Sequence, residues 1–213
     1  MDSAKEIARD MLDAINIDGS GFWGAVAKGF ISFPVSLGYL GYDFIDTEHR
    51  RENLDDKFRM AGLLQRNVFD RDMVHKIINF FIEDFTSRID VVKISNVIKE
   101  ISGGAAGKVL FSQLTGVNLG LAISSRAVAV FFSGYMAGIL LSLGAEVSRA
   151  IYTSRNLKDH NPNMFYKLKQ AGDLDLLYFV VEDIVKPFEE ACKVSEINPQ
   201  KFDEICKYFI AGL

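Results

Sequence analysis

The chain has 213 residues, 49% of them hydrophobic and 24% charged, with a net charge of −4 at pH 7. That length can enclose a substantial core in one compact body, and the charge content argues against both disorder and a chain buried wholly in lipid. The acidic balance, with a pI near 5.4, argues against phosphate backbones as the main target, so nucleic acid is not an expected partner.

Ser3 and Glu6 make a capping-box pattern, after which Ile7, Met11 and Ile15 recur at helical spacing. The first helix is expected to end near Asn16, and "DGSG" reads as a turn. The N-terminal residues lack the basic start and apolar run of a signal peptide. The chain is therefore expected to be soluble when made, leaving its cell by a non-classical route or, alternatively, staying cytoplasmic. Phe22 to Phe44 is a second apolar stretch, interrupted by Lys28, Pro34 and several glycines, and reads as a kinked, partly buried helix. Its Phe22, Trp23, Tyr39 and Tyr42 can form an interfacial aromatic group or serve as ordinary core.

From Asp46 to Asn67 charges alternate in sign while Leu54, Phe58, Ala61 and Leu64 hold one stripe, the pattern of a surface helix. Asp70 or Asp72 can cap the next helix, in which Val74, Ile77, Ile78, Phe81, Ile82 and Phe85 give a wide apolar face. Val91, Ile94, Val97, Ile98 and Ile101 mark another amphipathic piece, ended by "SGGAAG".

Between Lys108 and Glu146 the only formal charge is Arg126, and "TGVNLG", Thr115 to Gly120, supplies a turn. The region reads as a helical hairpin with a short first arm. The second arm starts near Ser124 or Ser125 and runs through Ala145, and its uncharged part covers about 28 Å, close to a hydrocarbon core of about 30 Å. Gly134, Gly138 and Ser142 lie four apart and permit close backbone approach, while Phe131, Phe132, Tyr135 and Ile139 offer bulk elsewhere. Arg126 on one side and Glu146 on the other bracket the run as charges do at two membrane interfaces. These nine residues are the candidates for membrane insertion. The same run also suits the central rod of a globular bundle.

In the last third, Asn161 before Pro162 and Asn198 before Pro199 each place an N-cap residue ahead of a proline at the first helical position. Asp173 can cap "LDLLYFVVEDIVKPFEEAC", which Pro187 should kink or interrupt. The whole reads as an all-α, single domain over residues 1–213, a compact bundle of about nine or ten helices around a central hydrophobic hairpin. Cys192 and Cys206 fit small buried hydrophobes, or an oxidised pair if the last two helices are antiparallel.

Signals for chemistry are weak. In "GGAAGKV" the first glycine of a P-loop would fall on Ser102 and its Ser/Thr position on Val109, and no strand precedes it, so Gly103 and Gly104 are read as a helix stop. His49, His75 and His160 match no metal spacing. The acidic pairs Asp55 with Asp56, Glu182 with Asp183, and Glu189 with Glu190 are adjacent residues that point apart on a helix. No catalytic residue, cofactor or metal is expected, and the chain is read as a non-enzyme.

Around the segment "GKVLFSQLTGVNLGLAISSRAVAVFFSGYMAGILLSLGAE", amphipathic helices flanking an almost uncharged hairpin resemble the channel-forming domains of colicin-type bacterial toxins and the pore-forming effector domains of competing bacteria. The hairpin here is central, whereas in that family it lies near the C-terminus. The resemblance implies a water-soluble bundle that opens at an anionic inner membrane and inserts its hairpin. It also implies anionic membrane lipid and a cognate immunity protein as partners. The alternative is a helical protein-interaction module, such as an adaptor, chaperone or immunity-like partner, in which the same segment is core.

Overall fold

A computed structural model describes residues 3–15, 46–66, 71–90, 119–134 and 147–212. Its elements, in chain order, are α1 (Ala4–Ile15), α2 (Arg50–Arg66), α3 (Arg71–Ser87), α4 (Leu119–Gly134), α5 (Val147–His160), α6 (Pro162–Gln170), a 3-10 turn η1 (Leu174–Leu177), α7 (Tyr178–Ile197) and α8 (Pro199–Gly212). The protein is all-helical; no strand occurs among the described residues. The expected helices at Phe22–Phe44 and Val91–Ile101, and the break at "SGGAAG", lie outside them.

Helix starts follow the local rules. Ser3 Oγ accepts from the Glu6 amide at 3.2 Å, and Glu6 returns the bond to the Ser3 amide at 2.7 Å. Asn161 caps α6 by accepting from the Met164 amide at 3.2 Å, and Asn198 caps α8 by accepting from the Lys201 amide at 3.0 Å. Each cap satisfies an amide that the first turn of a helix cannot pair internally. Asp72 lies inside the first turn of α3 and so is not its cap. Helix α7 runs unbroken through Pro187, where a kink or an interruption is expected, so the interruption does not occur. Val185, Phe188 and Ala191 around it are all fully buried, and that packing outweighs the loss of one helical hydrogen bond.

The chain forms two compact units. One comprises Met1–Gly19, Ile78–Val130 and Asp183–Leu213. Within it α1 packs along α8, closely enough that the Leu12 side chain sits where a Cβ at Gly212 would project. Phe85 is the hub of the core, edge-to-face with Phe188 at 5.5 Å, Phe202 at 5.9 Å and Phe209 at 5.7 Å between ring centroids. Arg88, just past α3, donates to the Cys192 carbonyl at 3.2 Å, to Ser195 Oγ at 2.9 Å and to Glu196 at 2.9 Å, and so ties α3 to the last turns of α7. Cys192 and Cys206 are buried free thiols.

Helix α4 begins at Leu119, inside the stretch expected to be a turn and ahead of the start expected at Ser124 or Ser125. Gly120, Ile123, Ser124, Ala127 and Val128 form its buried side. Gly120 stands in the first turn of α4, where its propensity cost is below the interior figure of about 1 kcal/mol and is exceeded by burial of that stripe, and Ser124 is satisfied by donating to Asn79 Oδ1 at 2.9 Å.

The second unit comprises Ser20–Ile77 and Phe131–Glu182. Here α2 is rotated relative to expectation. Leu54 and Phe58, half of the stripe expected to be the apolar side, are 53% and 69% exposed, and Ala61 is exposed with them. The covered side is Asn53, Met60 and Leu63, with Asp56 and Arg59 partly covered between them. After α6 the chain turns through Gly172 (φ +116°) and Asp173 (φ +64°), both in the left-handed half of backbone space. Asp173 makes no side-chain cap, contrary to expectation, and it leads into the 3-10 turn η1 instead of directly into α7.

Candidate functional site

The rotation of α2 is explained by the groups that its covered side meets. Asn53, Asp56 and Arg59 recur every three residues, so they share one face of the helix. The left-handed turn at 172–173 and the tight 3-10 coil after it carry Asp173 and Asp175 to that face. Arg59 then holds three carboxylates on three different nitrogens: Asp173 on Nε at 2.8 Å, Asp56 on Nη1 at 2.8 Å and Asp175 on Nη2. The Asp175 side chain is 0% exposed, and its other oxygen accepts from Ser154 Oγ at 2.7 Å.

The network continues from Asp56 into α5. Arg155 Nη2 donates to Asp56 Oδ2 at 3.3 Å, and its guanidinium lies over the Tyr152 ring at 5.4 Å. The Tyr152 hydroxyl donates to Asp46 at 2.8 Å and accepts from Asn53 Nδ2 at 3.1 Å. His49 closes the outer end with Nδ1 at 2.9 Å from Asp46 Oδ1, and its amide donates to the same oxygen at 3.2 Å.

Burial and ionic contacts pull these groups in different directions. Burial pushes the Asp175 carboxyl above the ordinary carboxylate range, against the opposing pull of Ser154 and the Arg59 charge. Burial works against ionised Asp46 too, but there the hydrogen bonds from His49 and Tyr152 win and lower it from 3.8 to about 2. Burial lowers Arg59, yet Asp175 and the other two carboxylates outweigh it and hold the guanidinium firmly charged. Four carboxylates therefore share two guanidinium groups and one exposed imidazole. Such a site adds charge contacts from α2 to α5 and η1 to the apolar burial of Met60 and Leu63. It does not offer a nucleophile: Ser154 is buried and donates to Asp175. The three acids around Arg59 enclose that guanidinium, and among the described residues no group of three or more His, Cys, Asp or Glu is placed to hold a metal.

Of the candidates for membrane insertion, Arg126 is exposed on α4. Phe131, Phe132 and Gly134 form the end of α4, and nothing is described of their side chains. Tyr135, Gly138, Ile139, Ser142 and Glu146, like the interfacial candidates Phe22, Trp23, Tyr39 and Tyr42, lie outside the described residues. No described helix is long and apolar enough to cross a membrane. In the sequence His49, Asp56 and Asp173 stand out only singly, as a histidine without metal spacing, one of an acidic pair and a helix cap, and none of them is joined to Arg59; the signal available was the three-residue recurrence of Asn53, Asp56 and Arg59, competing with the stripe through Leu54 and Phe58. No family model, curated protein or solved structure matches the chain.

Proposed function

We propose that the chain is a membrane-permeabilising domain of the colicin type, a bundle of nine or ten helices whose Gly104–Ala145 hairpin enters a target bacterial inner membrane. The observation that carries this reading is the absence of any charge from Ala127 to Ala145, immediately after Arg126. Anionic lipid is the partner on this reading, and an immunity protein guards the producing cell.

Purified chain added to anionic liposomes at neutral and mildly acidic pH is expected to release trapped dye and collapse an ion gradient. Gly138→Asp is expected to abolish leakage while the circular dichroism of the soluble protein stays helical, because a carboxylate at mid-span opposes lipid entry. Vesicles that stay sealed at every pH overturn the reading. A second reading, a helical protein-interaction module, is favoured by Leu54 and Phe58, which stand exposed one turn apart on α2. On that reading vesicles are inert, and Leu54→Asp with Phe58→Asp abolishes capture of a protein partner without loss of fold.

A further inference from the structure

Helix α6 reads "PNMFYKLKQ" and contains no acidic residue. Its buried side is Met164, Phe165 and Leu168. Tyr166 is 51% exposed. At 100° per residue Tyr166 stands at the middle of the outward face, with Lys167 on one flank and Lys169 on the other, both exposed. Two further lysines converge on this helix. Lys158, from the last turn of α5, and Lys169 both lie over the Phe165 ring, 5.9 and 5.4 Å from its centroid. Lys76 donates to the Ala171 carbonyl, one residue beyond α6, at 3.3 Å. Asp159 neighbours Lys158 in sequence, and Asp173 beyond the helix is engaged by Arg59. Four lysines thus gather at one short helix of a chain whose net charge is −4.

An exposed tyrosine between flanking lysines is the side-chain arrangement that a phospholipid interface selects. The ring sits at headgroup level, the lysine stems lie along the apolar boundary, and the ammonium groups reach lipid phosphates. The exposed face of α2 is mixed in sign, with Glu52 and Asp55 as well as Arg51 and Lys57 beside Leu54 and Phe58, and so lacks the acid-free character of α6. We propose that the Tyr166–Lys167–Lys169 face of α6, with Lys158 and Lys76 at its edges, is the surface by which the second unit docks on an anionic phospholipid membrane. The inference deepens the permeabilising reading by naming the element that meets lipid before any insertion.

Flotation of the full chain with vesicles of phosphatidylcholine, alone or mixed with phosphatidylglycerol, tests it separately from leakage. Binding is expected to the mixed vesicles only and to weaken as salt is raised. Each lysine neutralised at the face should lower the partition coefficient about fivefold, so Lys167→Gln with Lys169→Gln lowers it by about 25-fold. The exposed α7 pair, changed as Lys186→Gln with Lys193→Gln, should leave it unchanged. Tyr166→Ser should lower the binding that remains at high salt, where the lysines are screened. Equal loss from the α7 pair, equal binding to neutral vesicles, or no loss from the α6 pair overturns the inference. In the last case leakage can persist and the permeabilising reading survives. If α6-dependent binding is found but vesicles stay sealed, the docking face stands and the permeabilising reading falls. Retention of the chain by an acidic protein or nucleic acid but by no vesicle overturns both.

Discussion

A guanidinium that bonds three carboxylates cannot neutralise them all, and that surplus decides how substitutions around Arg59 behave. Arg59→Ala leaves Asp56, Asp173 and the fully buried Asp175 facing one another, and removal of one partner from a buried ion pair costs about 3–5 kcal/mol. Adding Asp175→Asn to Arg59→Ala removes the worst of the stranded charges. It should restore at least about 1 kcal/mol in urea unfolding, a coupling that independent sites would not show. Acid acts on the same network in two stages. Burial favours the protonated form of Asp175 in the folded chain, so its protonation as pH falls does not destabilise the fold. Asp46 is the opposite case, its folded value lying below its ordinary one. The stability it contributes is complete above 3.8 and is lost as pH falls toward about 2. Near-ultraviolet dichroism should therefore stay flat through mild acid and break between those values. Tyr152→Phe, which removes a hydrogen bond to the ionised carboxylate, should move the break to higher pH.

At the scale of the element, the sequence makes legible the features that local chemistry determines. Ser3 with Glu6, Asn161 before Pro162 and Asn198 before Pro199 start helices because the capping groups lie three residues from the amides they satisfy. The apolar face of α3 was legible for a similar reason: Val74, Ile77, Ile78, Phe81, Ile82 and Phe85 admit only one buried side, and all of them are buried. Helix α2 offered two faces, and the choice between them was made by Asp173 and Asp175, 114 and 116 residues further along the chain. No reading of the helix by itself contains that information, and so the network was missed. The turn that delivers those two aspartates is open to test. Nothing lies within 4 Å of a Cβ built on Gly172, yet its φ is +116°, so Gly172→Ala should cost at least about 1 kcal/mol purely through the backbone. In the other unit, Phe85→Ala empties the centre of three edge-to-face contacts and should cost about 3–5 kcal/mol. The two thiols give an independent check on packing. Burial raises both, Cys206 to about 12 and Cys192 further, so neither should react with a disulfide reagent at mildly alkaline pH until the chain is unfolded.

Over the whole molecule, charge acts at two ranges with opposite sign. The chain carries −4 at pH 7, so an anionic bilayer repels it at separations comparable to a Debye length of about 10 Å. The lysines of α6 attract only at contact. Docking at neutral pH is then limited by arrival, and any condition that removes net negative charge without removing lysine charge should speed it. Lowering the pH toward the pI near 5.4 does this, since lysines stay protonated there while carboxylates and histidines take up protons. On the permeabilising reading, dye release from phosphatidylglycerol-containing vesicles, followed by stopped flow, should accelerate at least about tenfold between pH 7 and the pI. The acceleration should be largest at low salt, because screening removes the same repulsion that protonation does. Lys167→Gln with Lys169→Gln should slow release at both pH values while leaving the ratio between them nearly intact, since the pair acts after arrival and the net charge acts before it. A ratio that collapses to one in that variant would mean that the pH dependence lies in the α6 face and not in the charge of the body as a whole.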